Sequence, residues 1–132
     1  MRLRQILFVA ANSLLVLSCQ SASNNQLSND KLKFDKGHWT EFDDSDGGEY
    51  PYRDRMLSDL VLNHKIKGLT YRQLVDSLGS PTSIEASEGT VSYEIISGFE
   101  SNIDPTYGKN LNLTLGADST VISYKISEWK HE

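Results

Sequence analysis

Apolar residues recur at helical spacing in residues 68–81, GLTYRQLVDSLGSP, where Leu74, Val75 and Leu78 share one face of a helix predicted over 70–78. Both ends of this helix are marked. Thr70 stands as N-cap with Gln73 three residues on, a capping box, and Leu69 and Leu74 are spaced for a hydrophobic staple. Gly79 stands where a left-handed residue closes a helix, and Pro81 blocks any continuation. Upstream, Pro51 suits a first helical turn. The segment that follows, YRDRMLSDLVLNHK, aligns Met56, Leu57, Leu60 and Val61, with His64 at its end, opposite Arg55, Ser58, Asp59 and Asn63. Helices this short are marginal in isolation, so both must pack on another layer.

Downstream the period changes to two. Val91, Tyr93 and Ile95 alternate with polar residues, although Ile96 breaks the polar side; Leu111, Leu113 and Leu115 alternate, as do Ile122, Tyr124 and Ile126. Each set predicts a strand with one buried face. Residues 116–119 (GADS) make a hairpin turn, residues 82–88 a weaker edge strand closed by Gly89, and residues 98–108 a loop holding Asp104-Pro105. Helices followed by strands predict an α+β fold: two N-terminal helices on one face of a three- to four-stranded antiparallel meander.

The flanks are organised differently. Residues 1–18 have a basic start (Arg2, Arg4) and an apolar run from Ile6 to Leu17, too short to span a bilayer and suited to a signal peptide. The run ends Val16-Leu17-Ser18-Cys19, which resembles a bacterial lipobox, with Val16 and Leu17 where Leu and a small residue are usual. An ordinary signal cut after Ser21-Ala22-Ser23 is the alternative; the single cysteine at the end of the apolar run favours lipidation at Cys19. Residues 19–33 then read as the lipidated cysteine and a polar tether, and 34–132 as one domain. Its first part, 34–50, reads as an extended arm pinned by Phe34, Trp39 and Phe42, with an exposed loop at Gly47-Gly48. The acidic residues Asp43, Asp44, Asp46 and Glu49 fail the calcium-loop template, because Gly48 and Glu49 fall at its fifth and sixth places.

Charge and candidate chemistry narrow the function. With Arg2 and Arg4 removed from the thirteen basic residues, eleven face eighteen acidic ones, a net −7 that disfavours nucleic acid and anionic lipid headgroups as partners. His38, His64 and His131 are far apart and make no metal motif, and one cysteine allows neither an internal disulfide nor a cysteine-rich metal site. Glu94, Glu100 and Asp104 are the available carboxylates for acid–base work, but nothing in the sequence gives them a raised pKa. The helix start at residues 68–72 offers free N–H groups to an anion, which capping by Thr70 and Gln73 already uses in part. The expectation is a protein that is not an enzyme and needs no cofactor. Phe99, Tyr107 and Trp129, at strand ends and loops, are the candidate interaction surface.

Gly68, Thr70, Leu74, Leu78, Gly79 and Pro81, with Tyr93 on the next strand, resemble a pattern found in the small SmpA/OmlA (BamE-like) lipoproteins. Their relatives with the β-lactamase-inhibitor-protein-like fold share it. The pattern is Gly-x-Thr-x-x-x-Val-x-x-x-Leu-Gly-x-Pro, with either Leu74 or, one residue on, Val75 in the Val place, and the resemblance covers residues 53–127. It implies a helix pair on a small sheet used for protein–protein contact at the cell envelope, as in the accessory subunit of the outer-membrane β-barrel assembly machine. Only scaffold positions match, so no partner-contact residue carries over. Gln20, where enterobacterial inner-membrane lipoproteins have Asp, fits outer-membrane sorting toward the periplasm. The alternative function is a periplasmic inhibitor or ligand-binding protein using the open sheet face.

Stable anchoring takes two or more acyl chains. Labelled palmitate should be incorporated at Cys19 and the protein should sediment with membranes; a Cys19→Ala chain that still labels and sediments would exclude this anchor.

Overall fold

A computed structural model describes residues 30–101 and 103–131; the expected leader, Cys19 and the first part of the expected tether lie outside the described residues. Three α-helices, α1 (Lys36–Thr40), α2 (Arg53–Asn63) and α3 (Tyr71–Leu78), precede four strands, β1 (Ser83–Glu85), β2 (Thr90–Gly98), β3 (Tyr107–Leu115) and β4 (Val121–Lys130). The strands form one antiparallel sheet in the order β1-β2-β3-β4, the expected α+β meander with helices packed on one face.

The capping box of α3 forms as spaced. The Gln73 N–H donates to Thr70 Oγ1 at 3.2 Å and the Thr70 N–H donates to Gln73 Oε1 at 3.0 Å. Leu74 and Leu78 are buried. Gly79 closes the helix at φ 78°, but its ψ of −174° is extended rather than left-handed helical. That region is open essentially to glycine alone. The reason lies in the next contacts: the Gly79 carbonyl accepts the buried Tyr93 hydroxyl at 2.8 Å, and a Cβ here would stand 3.0 Å from the Thr40 methyl. In α2, Met56, Leu57 and Leu60 are buried, whereas His64 is the C-cap, its side chain 45% exposed and its ring edge-on to Phe34 at 5.1 Å.

The core joins Met56, Leu57, Leu60, Ile66, Leu74 and Leu78 to Val91, Tyr93, Ile95, Leu111, Leu113 and Val121. The break in alternation at Ile95-Ile96 is a β-bulge: Glu94 pairs with Asn110 and Ile96 with Lys109, so the extra residue lets Ile95 stay buried. The open face of the sheet is polar. Ser92 Oγ donates to Asn112 Oδ1 at 2.6 Å, and Asn112 Nδ2 donates to Ser127 Oγ at 2.7 Å.

The arm is not extended throughout as expected, because it contains α1, capped by Asp35, whose carboxylate accepts the His38 N–H at 2.9 Å. α1 delivers Trp39 fully into the core. Ordered packing also begins before Phe34: the Leu32 N–H donates to the Arg55 carbonyl at 2.9 Å, and the Phe34 N–H donates to Asp59 Oδ2 at 2.7 Å. The arm is locked by Arg53, 2% exposed. Its Nε donates to the Trp39 carbonyl at 2.9 Å and its Nη1 to the Glu94 carbonyl at 2.7 Å, while the guanidinium lies 3.3 Å from the Tyr50 ring centroid. Burial lowers the Arg53 pKa, and the neighbouring Tyr50, Tyr93 and Glu94 act against that shift.

The structure ranks two substitutions. Thr70→Ala removes one cap and should cost about 1 kcal/mol, whereas Leu78→Ala leaves a core cavity and should cost about 2–5 kcal/mol. Denaturant melts of the two variants against wild type check the order; equal losses would give Thr70 a role beyond capping.

Candidate interaction surface

The third apolar alternation is where sequence and structure part. Ile122, Tyr124 and Ile126 were expected on the buried face, yet they are 58, 37 and 39% exposed. Alternation is kept at Tyr124 and Ile126 but not at Ile122, since Tyr124 pairs with Leu113 and Ile126 with Leu111, both buried. Their cover is partial: Ile126 lines a cleft with Leu57, Ser58 and Val61 of α2, and Lys67 Nζ lies 5.9 Å from the Tyr124 ring centroid. The helices and the arm lie over β2 and β3, and β4 is the outer strand. Val121 is buried because residues 68–71 pair with the start of β4. The Gly68 N–H donates to the Val121 carbonyl and the Val121 N–H to the Leu69 carbonyl, both at 2.8 Å, and the Tyr71 N–H donates to the Ser119 carbonyl at 2.8 Å. A register shift follows at once, Leu115 facing Val121 and Thr114 facing Ser123, which makes Ile122 the extra residue.

Of the candidate aromatics, two stand at the same end of the sheet but on opposite faces, Tyr107 opposite Lys130 on the helix side and Trp129 opposite Gly108 on the open side. Tyr107 and Trp129 both line an open groove of about 560 Å³ at the far end of β3 and β4, with Asp54, Lys109, Glu128 and Lys130. Each ring lies across a glycine of the next strand. A Cβ at Gly98 would overlap the Tyr107 ring, and one at Gly108 would come within 2.7 Å of Trp129. Phe99 does not join them: it packs against Gly47, in the loop between the arm and α2. The groove is divided by Lys109, whose side chain is 23% exposed. Its Nζ donates to Asp54 Oδ1 at 2.7 Å and pairs with Glu128 Oε1 at 3.3 Å.

Lys109 and Arg53 were not singled out by sequence reasoning, but a signal existed for both. Lys109 has the parity of Leu111, Leu113 and Leu115, and Arg53 stands three, four and seven residues before Met56, Leu57 and Leu60. A cation on an apolar stripe was the clue.

The remaining chemistry is dispersed. His38 pairs with Asp35, His64 with Asp59, and His131 stacks at 5.0 Å from Trp129. Glu94 accepts from Ser97 Oγ at 3.4 Å, Glu100 lies 3.9 Å from Lys130, and Asp104 is an exposed loop residue. Among the described residues no group of three or more His, Cys, Asp or Glu side chains is placed to hold a metal, and no helix is long and apolar enough to cross a membrane. The free N–H of Thr70 at the α3 start is taken by Gln73, and that of Tyr71 by Ser119. Asp59 is held below the ordinary carboxylate range, first by the Phe34 N–H and then by Asn63. No family model matches the sequence, and no curated protein and no solved structure matches it.

The hydrogen bond to Asp54 is the largest cause raising the Lys109 pKa above the ordinary lysine value of 10.5. A folded value above the unfolded one contributes stability that is complete below about pH 10.5 and is lost as pH rises through the raised value. Buried Tyr93, whose pKa is also raised, destabilises the fold in the same alkaline range because the unfolded phenol ionises first. Lys109→Met should therefore melt with a shallower decline between about pH 10 and 12 than wild type, the Tyr93 share remaining. Parallel slopes would show that the Lys109 contacts contribute nothing to stability.

Proposed function

We propose that this chain is a lipid-anchored, non-enzymatic protein-interaction module of the bacterial cell envelope, an outer-membrane lipoprotein that faces the periplasm and assists assembly there. The observation that carries the reading is the free edge of the outer strand β4, beside which Tyr124 and Ile126 stand partly exposed. Single exposed apolar residues are ordinary, but apolar residues along an unpaired strand edge are a hazard that a protein covers when it works. The anchor at Cys19, the polar stretch after it and the resemblance of residues 53–127 to the SmpA/OmlA lipoproteins support the same reading. The alternative, an inhibitor or ligand-binding protein using the open sheet face, draws on the hydrogen-bonded ladder of Ser92, Asn112 and Ser127 on that face.

A photo-reactive residue placed at Tyr124 of the full chain, irradiated in intact cells, tests the proposal. A discrete protein adduct at the envelope, lost with Cys19→Ala, is the expected result. Absence of any protein adduct would overturn it, and capture of a soluble hydrolase would favour the inhibitor reading.

A further inference from the structure

Where the arm, α2, the turn after it and α3 meet, the helical layer holds a cavity of about 180 Å³, walled by Phe34, Leu60, Ile66, Leu69 and Leu78. Leu60, Ile66 and Leu78 are buried core residues, and Phe34 and Leu69 are half-buried. Its rim is polar: His64, Lys65 and Ser77 are exposed there. We infer that this cavity binds a small free carboxylate whose apolar body is a single aromatic ring or a branched chain of the same size. None of the lining residues belongs to a strand, so the site is separate from the β4 edge, and its failure would leave the reading of that edge standing.

Size and lining set the body of the ligand. An apolar cavity of about 150 Å³ lined by Leu, Ile and Phe holds one benzene ring. This one has room for a ring and its first substituent, not for two fused rings or a long acyl chain. Polar groups pushed against these walls would lose their partners, so the inserted part is apolar. Phe34 stands edge-on to His64 at 5.1 Å and tilted to Trp39 at 5.8 Å, and a ring can join such a set edge to face. The rim sets the head. His64 is already engaged, its Nε2 3.3 Å from Asp59 Oδ2. Asp59 in turn accepts from the Phe34 N–H and from Asn63, and neither it nor Asp76 is on the lining. Among the described residues, Lys65 has no carboxylate within ion-pair distance, and neither its ammonium nor the Ser77 hydroxyl bonds to another group of the protein. Lys36, which donates to the Asp76 carbonyl beside Ser77, adds a further cation. Charges beyond about 8 Å are largely screened at physiological ionic strength, so these cations outweigh the acidic balance of the whole chain at the rim.

Methyl resonances of the full chain, carried in phospholipid nanodiscs, read occupancy directly. Phenylacetate should shift the methyls of Leu60, Ile66, Leu69 and Leu78 saturably, with a dissociation constant of about 1 mM or tighter. Phenylacetamide has the same body without the charge and should bind roughly threefold to fivefold more weakly, the difference an exposed ion pair makes. Lys65→Met should weaken phenylacetate by that factor and leave phenylacetamide unchanged. Ser77→Trp, at an exposed position of the rim, should close the mouth and abolish binding at an unchanged melting temperature; if it lowers that temperature, the Lys65→Met comparison still decides. 1-Naphthylacetate, with a second ring, should give no saturable shift. Absence of saturable shifts at the four residues would overturn the site. Equal affinity for phenylacetate and phenylacetamide, with Lys65→Met indifferent to both, would overturn the carboxylate, and tighter binding of 1-naphthylacetate would overturn the size.

Discussion

A guanidinium sealed inside the domain is the constraint around which the rest is arranged. Arg53 is buried at the first position of α2, where its donors meet carbonyls from the arm and from β2, and its flat faces meet aromatic rings. Trp39 and Tyr93 lie 5.1 and 5.8 Å from it, beyond the closer Tyr50. A guanidinium is weakly hydrated and planar, which makes it the cation best suited to such a place. Its desolvation is offset only while those carbonyls and rings stay in position, so the arm, α2 and β2 are held as one unit. The bulge at Ile95 belongs to the same arrangement, because it interrupts the ladder beside Glu94, whose carbonyl takes one of the Arg53 donors.

A second cation limits the other side of the molecule. Lys109 reaches from β3 to Asp54 on α2 and to Glu128 on β4, so the helical layer is tied to the outer strand by a charge pair rather than by apolar packing. Between that tie and the short pairing of residues 68–71 with the start of β4, the middle of the strand is only partly covered, Ile126 by α2 and Tyr124 by the Lys67 side chain. The helical layer buries the inner strands and only reaches the margin of the outer one. The exposure of Tyr124 and Ile126 is therefore a consequence of how far the cover extends, whereas Ile122 is exposed because the bulge at the start of β4 breaks the alternation there.

The same view explains the candidate aromatics. Tyr107 and Trp129 occupy the groove end of β3 and β4 because glycines on the neighbouring strands let their rings lie flat across the backbone. Phe99, one residue past the end of β2, is diverted to the loop at Gly47. Neighbours in a sequence-based list thus separate once strand register and loop path are fixed.

Local chemistry was legible from the sequence wherever the cause is local. The α3 capping box, the apolar faces of α2 and α3 and the strands β2 and β3 follow from spacing within a few residues, and the structure contains all of them. The positive φ of Gly79 was legible too, but its extended ψ was not, because it is set by the Tyr93 hydroxyl and the Thr40 methyl from distant elements. Likewise α1 within the arm, the burial of Arg53 and the exposure of Ile122, Tyr124 and Ile126 were decided by tertiary structure alone. Alternation fixes which face of a strand a side chain takes; whether anything lies over that face depends on the length and placement of helices elsewhere in the chain.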